Sequence, residues 1–210
     1  MKYGIFGGTF DPIHTGHLLL VEKAMDIFSL ERVFMVPTGV SYLKSGVSAA
    51  ADRLEMTRRA VWELADERLV VDDVEILREG SSYTYETLEY YKESFPEDDC
   101  YLIIGEDSLR YIEKWRCSKR IFELSTILVA GRNESYHPAI GNDMGYSEAS
   151  LDTLIRDLTD RLECRIEFFA FDCDVSSTEI RRSLKNGEDV SAYLTDSVKQ
   201  YIDEKGLYRL

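Results

Sequence analysis

A chain of 210 residues is long enough to bury a substantial core, and its 44% hydrophobic and 30% charged shares are those of an ordinary globular protein rather than a disordered one. The formal charge of −14 argues against a general nucleic-acid or anionic-membrane binder, because such proteins need a basic face to release counterions. An anionic small ligand stays open, provided that a local cluster of cations and backbone N–H groups holds it.

We expect one domain over residues 1–210, with a C-terminal helical part at about 176–210. No apolar stretch approaches membrane-spanning length, and nothing at the N-terminus resembles a signal peptide. We therefore expect a cytoplasmic protein without nucleic-acid or membrane partners, and we leave open whether it forms a homo-oligomer. The four cysteines include no C-x-x-C pair, so we expect reduced thiols rather than a zinc knuckle or a disulfide framework.

The first half of the chain alternates short apolar runs with segments whose apolar residues recur at helical spacing. This pattern predicts strands at residues 2–6, 32–37 and near Val70, and helices at residues 17–28 and 52–64. The order is already strand, helix, strand, helix.

The second half continues the alternation. Helices are predicted at residues 85–95, 151–162 and 178–186, and a last helix ends near Gly206; strands are predicted at residues 100–105, 125–131 and 165–171. The polar and glycine-containing sequence of residues 131–150 predicts a surface loop. Alternating helices and near-continuous apolar strands indicate an α/β fold of the Rossmann-like, doubly wound class, with a mostly parallel sheet covered on both faces.

The loop after the first strand, GGTFDPIHTGH, is the first place to expect a ligand, because open α/β sheets bind ligands where loops leave the carboxyl ends of strands. The loop matches neither G-x-G-x-x-G nor the Walker pattern. Gly8, Thr9 and Phe10 can offer backbone N–H groups to a phosphate, and His14 and His17 point toward the same anion. The alternatives are a zinc site, for which the neighbouring sequence supplies no third ligand, and two satisfied histidines beside a turn.

A second segment, SSTEIR at residues 176–181, carries the capping-box pattern of Ser176 followed by Glu179. The pattern predicts that residues 176–178, which include Ser177 and Thr178, open a helix whose N-terminus has partial positive charge. Arg181 adds a fixed cation suited to phosphates. A well-capped helix without a ligand is the alternative.

Both segments resemble signatures of the nucleotidyltransferase superfamily. GTFDPIHTGHL resembles its (H/T)xGH signature without a gap, and SSTEIR resembles its phosphate-binding S-S-T-x-I-R motif. Between them, SYTYETL, IIGEDSL and Trp115 look like the corresponding blocks of the bacterial nicotinate-nucleotide adenylyltransferases, over nearly the whole chain. The chain departs from that family at PTGVSYLKS, which keeps Pro37 and Lys44 of a P-P-H-K-like stretch but lacks the second proline and the histidine.

The resemblance implies an enzyme that joins ATP to nicotinate mononucleotide with Mg²⁺, forming deamido-NAD and pyrophosphate. His14 and His17 would be its catalytic donors to the phosphates, and Mg²⁺ would be held mostly by substrate and water rather than by protein ligands. The resemblance further implies that Thr84 and Trp115 bind the nicotinate, Trp115 by stacking on the pyridine ring. The predicted ATP and phosphate contacts, drawn from the residues and the resemblance together, are Gly8, Thr9, Phe10, Lys44, Gly105, Asp107, Arg132, Ser177, Thr178 and Arg181.

Some of these residues have ordinary alternatives. Asp107 is also a candidate N-cap, Trp115 a candidate core residue, and Arg132 a solvated surface residue. Gly105 and Asp107 are assigned to the adenosine part of ATP by the resemblance alone.

Four other functions stay open: a nicotinamide mononucleotide adenylyltransferase, a phosphopantetheine adenylyltransferase, a cytidylyltransferase and a non-catalytic nucleotide-binding module. The phosphopantetheine enzymes typically have shorter chains without the SYTYETL and tryptophan blocks, and a cytidylyltransferase would be expected to show a different C-terminal signature. A non-catalytic module would be expected to have lost His14, His17 or Arg181, and this chain has all three.

Overall fold

Six strands form a sheet in the computed structural model, which describes residues 1–40, 46–131 and 150–209. The strands are β1 (Lys2–Gly8), β2 (Arg32–Pro37), β3 (Leu69–Val71), β4 (Asp99–Gly105), β5 (Thr126–Gly131) and β6 (Ile166–Ala170). Their order is β3-β2-β1-β4-β5-β6, and each pair with a described register is parallel. The predicted α/β, Rossmann-like class with a mostly parallel sheet is confirmed.

The helices of the described residues follow the predicted order. They are α1 (Thr15–Phe28), α2 (Ala50–Leu64), α3 (Val74–Leu77), α4 (Thr84–Ser94), α5 (Glu106–Tyr111), α6 (Ser118–Leu124), α7 (Leu151–Leu162), α8 (Ser177–Lys185) and α9 (Asp196–Lys205), with a 3₁₀ turn at Ile112–Lys114. The short helix α3 was not predicted. The ends predicted for the longer helices lie close to the observed ones.

Burial explains why these segments form the elements they do. In β2, every residue from Val33 to Pro37 is buried, which fits a strand covered on both faces. Helix α1 buries Leu18, Val21, Ala24 and Met25 and exposes Leu19, as an amphipathic helix does. The apolar periodicity of the sequence therefore marks the core-facing positions.

The chain divides into two compact units. Unit 1 comprises Met1–Ile5 and Tyr83–Asp172, and unit 2 comprises Phe6–Ser82 and Cys173–Leu210. The core of unit 1 includes Tyr3, whose ring centroid lies 6.2 Å from that of Tyr91. The expectation of a single domain over residues 1–210 stays a prediction.

Unit 2 contains α8 and α9, which lie in the predicted C-terminal helical part. Helix α9 packs on α2: the Tyr201 hydroxyl donates to Asp52 Oδ1 at 2.8 Å, and the Ser197 N–H donates to Glu63 Oε2 at 2.9 Å. Across residues 1–40, 46–131 and 150–209, every helix is too short or too polar to span a lipid bilayer.

Candidate active site

The loop that follows β1 has an unusual backbone. Phe10 lies in the left-handed region with φ 48°, and the Asp11–Pro12 peptide bond is cis. The Phe10 side chain is buried against the start of the loop, where a Cβ on Gly8 would lie only 2.7 Å from the Phe10 ring. A side chain at position 8 would therefore displace the buried Phe10 ring.

Hydrogen bonds fix the direction of the first peptide groups in the loop. The Gly8 carbonyl accepts from the Thr38 N–H at 2.9 Å, and the Thr9 carbonyl accepts from Arg53 Nη1 at 2.8 Å. In a trans peptide the C=O and N–H point in opposite directions. The N–H groups of Thr9 and Phe10 therefore point away from these partners, as donors to an anion must.

Arg53 is the buried cation that holds this loop, and it is not among the site residues predicted from the sequence. Its guanidinium donates to three carbonyls, those of Thr9 at 2.8 Å, Gly39 at 2.9 Å and Ser48 at 3.0 Å. Burial lowers the pKa of Arg53, and the nearby Asp11 carboxylate opposes that shift. The only signal in the sequence was an arginine beside Leu54 on the apolar face of a predicted helix.

His14 and His17 lie at the start of α1 with their rings stacked, the centroids 3.7 Å apart. His14 is the N-cap residue, and its backbone N–H donates to His17 Nδ1 at 3.2 Å. Because Nδ1 of His17 accepts this bond, a neutral His17 imidazole carries its proton on Nε2. The Phe10 and His17 rings pack nearly perpendicular to each other with centroids 5.1 Å apart, which further orients the imidazole.

His14 is buried, with 6% of its surface exposed. Burial lowers the pKa of His14 to about 4, so the imidazole is neutral at pH 7. Its Nδ1 has no hydrogen-bond partner among the residues that the structure describes. A Cβ on Gly16 would lie 3.1 Å from this atom and 2.8 Å from Cys173 Sγ, so glycine gives the His14 ring its room.

The alternative of a zinc site finds no support in the described ranges. Within them, no group of three or more His, Cys, Asp and Glu side chains is arranged to hold a metal ion. The carboxylate of the loop, Asp11, is buried, and both of its oxygens accept hydrogen bonds from within unit 2, from Tyr208 and from the Ser48 N–H. The Asp11 carboxylate is therefore engaged by hydrogen bonds within unit 2.

Helix α8 begins as predicted. The Ser176 side chain accepts from the Glu179 N–H at 3.2 Å, and its hydroxyl donates to Glu179 Oε2 at 2.8 Å. The predicted helix start is confirmed, with Ser176 as its N-cap. The Glu179 carboxylate accepts from the Ser176 hydroxyl and not from the Ser176 backbone N–H, so only one of the two bonds of a full capping box is formed.

The start of α8 contacts the loop directly. The Ser177 hydroxyl donates to the Pro12 carbonyl at 2.9 Å, and Arg181 Nη1 donates to the Asp11 carbonyl at 2.6 Å. Arg181 Nη2 also donates to Thr178 Oγ1 at 3.3 Å. Unit 2 thus brings together residues 8–17 and residues 176–181. We expect these two segments to bind phosphate, and we call them the phosphate cradle.

The candidates for the nucleoside and the nicotinate lie in unit 1. Thr84 is the first residue of α4, and Gly105 is both the last residue of β4 and the N-cap of α5. Asp107 is exposed in the first turn of α5, so the alternative of an N-cap role is wrong. Trp115 follows the 3₁₀ turn and is half-buried, which is less than the burial of a core residue. A Cβ on Gly105 would meet open space.

Two predicted phosphate contacts, Lys44 and Arg132, lie outside the described residues. The predicted surface loop at 131–150 falls almost entirely on residues 132–149, which are likewise outside them.

Comparison with known proteins points to one family. Residues 5–183 match the cytidylyltransferase-like family. Relatives that bear the name "probable nicotinate-nucleotide adenylyltransferase" include one from Desulfitobacterium hafniense, 37% identical over 100% of this chain and 96% of its own. A relative of the same name from Thermus thermophilus is 36% identical over the whole of both chains, and one from Neisseria meningitidis serogroup B is 38% identical over 99% of this chain and 98% of its own.

Solved structures share the fold at lower sequence identity. The nicotinic acid mononucleotide adenylyltransferase of Plasmodium falciparum, complexed with NaAD, superposes with a TM-score of 0.77 at 19% identity, covering 99% of this chain and 97% of that one. The full-length relatives are more than 30% identical to this chain, so they show its family. The superposed structure agrees with them in fold. The chain belongs to the cytidylyltransferase-like family and, within it, to the nicotinate-nucleotide adenylyltransferases.

Proposed function

We propose that this chain transfers the adenylyl group of ATP to nicotinate mononucleotide, forming deamido-NAD and releasing pyrophosphate. The observation that carries the proposal is the direct contact within the phosphate cradle, where Ser177 and Arg181 of α8 bind the carbonyls of Pro12 and Asp11. This contact joins a loop of N–H donors to a capped helix N-terminus, which is the arrangement that favours phosphates. The family membership of the chain supports the same reaction.

The chemistry needs little from the protein beyond positioning and charge stabilisation. A phosphate oxygen of nicotinate mononucleotide attacks the α-phosphorus of ATP, the new P–O bond forms, and the bond to the bridging oxygen of pyrophosphate breaks. A phosphate monoester has a second pKa of about 6, so at neutral pH the attacking group is largely dianionic and needs no strong general base. Catalysis then depends on in-line geometry and on donors to the crowded phosphorus.

His17 and His14 are our candidates for those donors. His17 accepts at Nδ1 from the His14 backbone, so a neutral imidazole carries its N–H at Nε2, and we assign that group to a phosphate oxygen of the substrate. His14 is neutral at pH 7 because burial lowers its pKa to about 4, so it too would act as an N–H donor rather than as a cation. Gly8 leaves room for the Phe10 ring, and we assign the N–H groups of Thr9 and Phe10 to this side of the cradle.

The other side of the cradle is formed by α8. Ser177 and Thr178 lie in its first turn, where the backbone N–H groups have no partner within the helix. Arg181 is half-buried and bonded to the Asp11 carbonyl, so its charge is held in a fixed position next to the loop. We assign these residues to the β- and γ-phosphates.

Mg²⁺ would enter with ATP as part of the substrate. Both Asp11 oxygens are already hydrogen-bonded within unit 2, so this carboxylate is not offered to a metal, and we expect phosphate and water oxygens to hold Mg²⁺. When bound, Mg²⁺ would neutralise charge on the phosphates and on the departing pyrophosphate.

Unit 1 offers the candidates for substrate recognition. We assign Gly105 and Asp107 to the adenosine, because open space at Gly105 and an exposed carboxylate at Asp107 suit a ribose with two hydroxyls. We assign Trp115 and Thr84 to the nicotinate, since a half-buried indole offers a face for stacking. The phosphate roles of Lys44 and Arg132 and a cytoplasmic location stay predictions.

The test is a pyrophosphate-release assay with ATP and Mg²⁺ that compares nicotinate mononucleotide, nicotinamide mononucleotide and phosphopantetheine as acceptors. A parallel set replaces ATP by CTP, since the matching family is described as cytidylyltransferase-like. We expect the highest kcat/KM with ATP and nicotinate mononucleotide. Equal turnover with all acceptors, no turnover with any, or a preference for CTP would contradict the proposal.

A further inference from the structure

Asp11 takes no direct part in the proposed reaction, yet it connects separate segments of unit 2. Its side chain is buried; Oδ1 accepts from the Tyr208 hydroxyl at 2.6 Å, and Oδ2 accepts from the Ser48 N–H at 3.3 Å. Its backbone carbonyl accepts from Arg181 at 2.6 Å. One residue of the cradle is therefore held by the C-terminal end of the chain, by the segment before α2 and by α8.

Tyr208 reaches Asp11 from a position 197 residues later in the chain. Its own backbone is left-handed, with φ 63°, a conformation that bulky residues rarely adopt. Such a conformation persists only where surrounding contacts hold it, and the hydrogen bond to the Asp11 carboxylate is such a contact. Burial and the nearby Asp11 carboxylate raise the pKa of Tyr208, so the hydroxyl keeps its proton and donates at neutral pH.

The position of Asp11 affects the N–H donors of the cradle through the neighbouring residue. Phe10 precedes Asp11 and is itself left-handed, and its N–H belongs to the peptide whose carbonyl, that of Thr9, is bound by Arg53. A buried carboxylate that loses a donor must move toward water or toward another partner. If Asp11 moves, the adjoining Phe10 peptide and the Arg181 contact move with it.

We propose that Tyr208 is a positioning residue for the phosphate cradle. Its hydroxyl holds Asp11 so that the N–H groups of Thr9 and Phe10, together with Arg181, keep the arrangement that binds the phosphates of ATP. Tyr208 acts through Asp11 and touches no substrate atom. The proposal rests on the proposed adenylyl transfer.

The chain supplies a matched control for the test. Tyr201 lies in α9, and its hydroxyl also donates to a carboxylate, Asp52 Oδ1, at 2.8 Å. Tyr201→Phe and Tyr208→Phe therefore remove the same kind of bond, but only the second bond ends on the loop. We expect both variants to lower the melting temperature, and only Tyr208→Phe to raise the KM for ATP, by about tenfold, while the KM for nicotinate mononucleotide changes less than about twofold.

A double-mutant cycle asks whether Tyr208 acts through Asp11. In an Asp11→Asn background, we expect Tyr208→Phe to change the KM for ATP by less than about twofold, because the shared contact is already weakened. An equal KM for ATP in Tyr208→Phe and Tyr201→Phe would overturn the proposal, as would an undiminished effect in the Asp11→Asn background. If the unmodified enzyme releases no pyrophosphate, adenylyl transfer is wrong instead, and calorimetric affinities for ATP of the same variants decide the role of Tyr208.

Discussion

His14 and His17 stack on each other but have different surroundings. His14 is buried, and His17 is half-buried with Nδ1 bonded to the His14 N–H. The two imidazoles therefore contribute differently: His17 presents Nε2–H in a direction fixed by its Nδ1 contact, whereas His14 is a neutral group whose protonation is opposed by burial.

Two amide substitutions at His17 separate its two nitrogens. The amide of Gln reaches the position of Nε2, whereas the shorter Asn reaches only that of Nδ1. If the donor is Nε2–H, His17→Asn should lower kcat by about 10²–10³-fold, like His17→Ala, and His17→Gln should retain more of the rate. The measurement is kcat in the pyrophosphate assay, corrected for the folded fraction by circular dichroism.

Equal rates for His17→Asn and His17→Gln would show that donation from the Nε2 position is not what the reaction needs. A loss of stability without a loss of rate per folded molecule would indicate that His17 has only a structural role.

The buried His14 predicts a pH dependence of stability. Its pKa of about 4 in the folded state lies below the ordinary value near 6.5, so between these values the unfolded chain binds a proton that the folded chain does not. Stability should therefore fall as the pH falls through this window, by roughly 3 kcal/mol in total from this group. Urea unfolding at several pH values between 7 and 4 measures it.

The control for this pH dependence is His14→Gln, which has no titrating group at position 14. Carboxylates contribute equally to the pH dependence of the unfolding free energy in both proteins. The difference between the two pH dependences therefore gives the contribution of His14. Identical slopes of unfolding free energy against pH would contradict the burial of a neutral His14.

The sequence predicted some residues of the cradle and missed others for a physical reason. His14, His17, Ser177 and Arg181 belong to short motifs whose local geometry makes them donors. Tyr208, Asp11 and Arg53 act through contacts with residues far away in the sequence. The spacing of residues within a short motif cannot predict such contacts.

At the scale of secondary structure, the longer elements were predictable because their periodicity marks a buried face. Helix α7 was predicted with the bounds it has, Leu151–Leu162. The four-residue α3 was missed, and the stretch between β4 and β5 divides into two short helices and a 3₁₀ turn. Helices this short are stabilised by tertiary contacts rather than by their own sequence, so periodicity cannot find them.

The N-caps of α8 and α7 allow a matched test of the helix N-terminus. Ser176 accepts from the Glu179 N–H, and Ser150 accepts in the same way from the Thr153 N–H. Ser176→Ala and Ser150→Ala should each cost about 1 kcal/mol of stability. Only Ser176→Ala should also raise the KM for ATP, because only α8 is assigned to the phosphates.

Thermal or urea unfolding and initial rates at varied ATP concentration check this pair. If both variants leave the KM for ATP unchanged, the N-terminus of α8 is a capped helix end without a role in binding phosphate.

For the whole molecule, a net charge of −14 excludes recognition by a broadly basic surface. In our proposal the phosphate cradle binds the anion instead with local donors: two loop N–H groups, two imidazoles, the first-turn N–H groups of α8 and one fixed guanidinium, that of Arg181. Composition could predict that any anion site must be local. Composition could not predict that the Arg53 guanidinium, although cationic, donates its hydrogen bonds to backbone carbonyls.

Amide NMR during a titration with MgATP tests the cradle most directly. We predict that the ¹H shifts of the Thr9 and Phe10 amides move downfield as they bond to phosphate, together with shifts in residues 176–181 at the start of α8. The same titration with adenosine should leave these signals in place, because it lacks phosphates. Unchanged Thr9 and Phe10 amides at saturating MgATP would contradict the claim that this loop and α8 hold the phosphates.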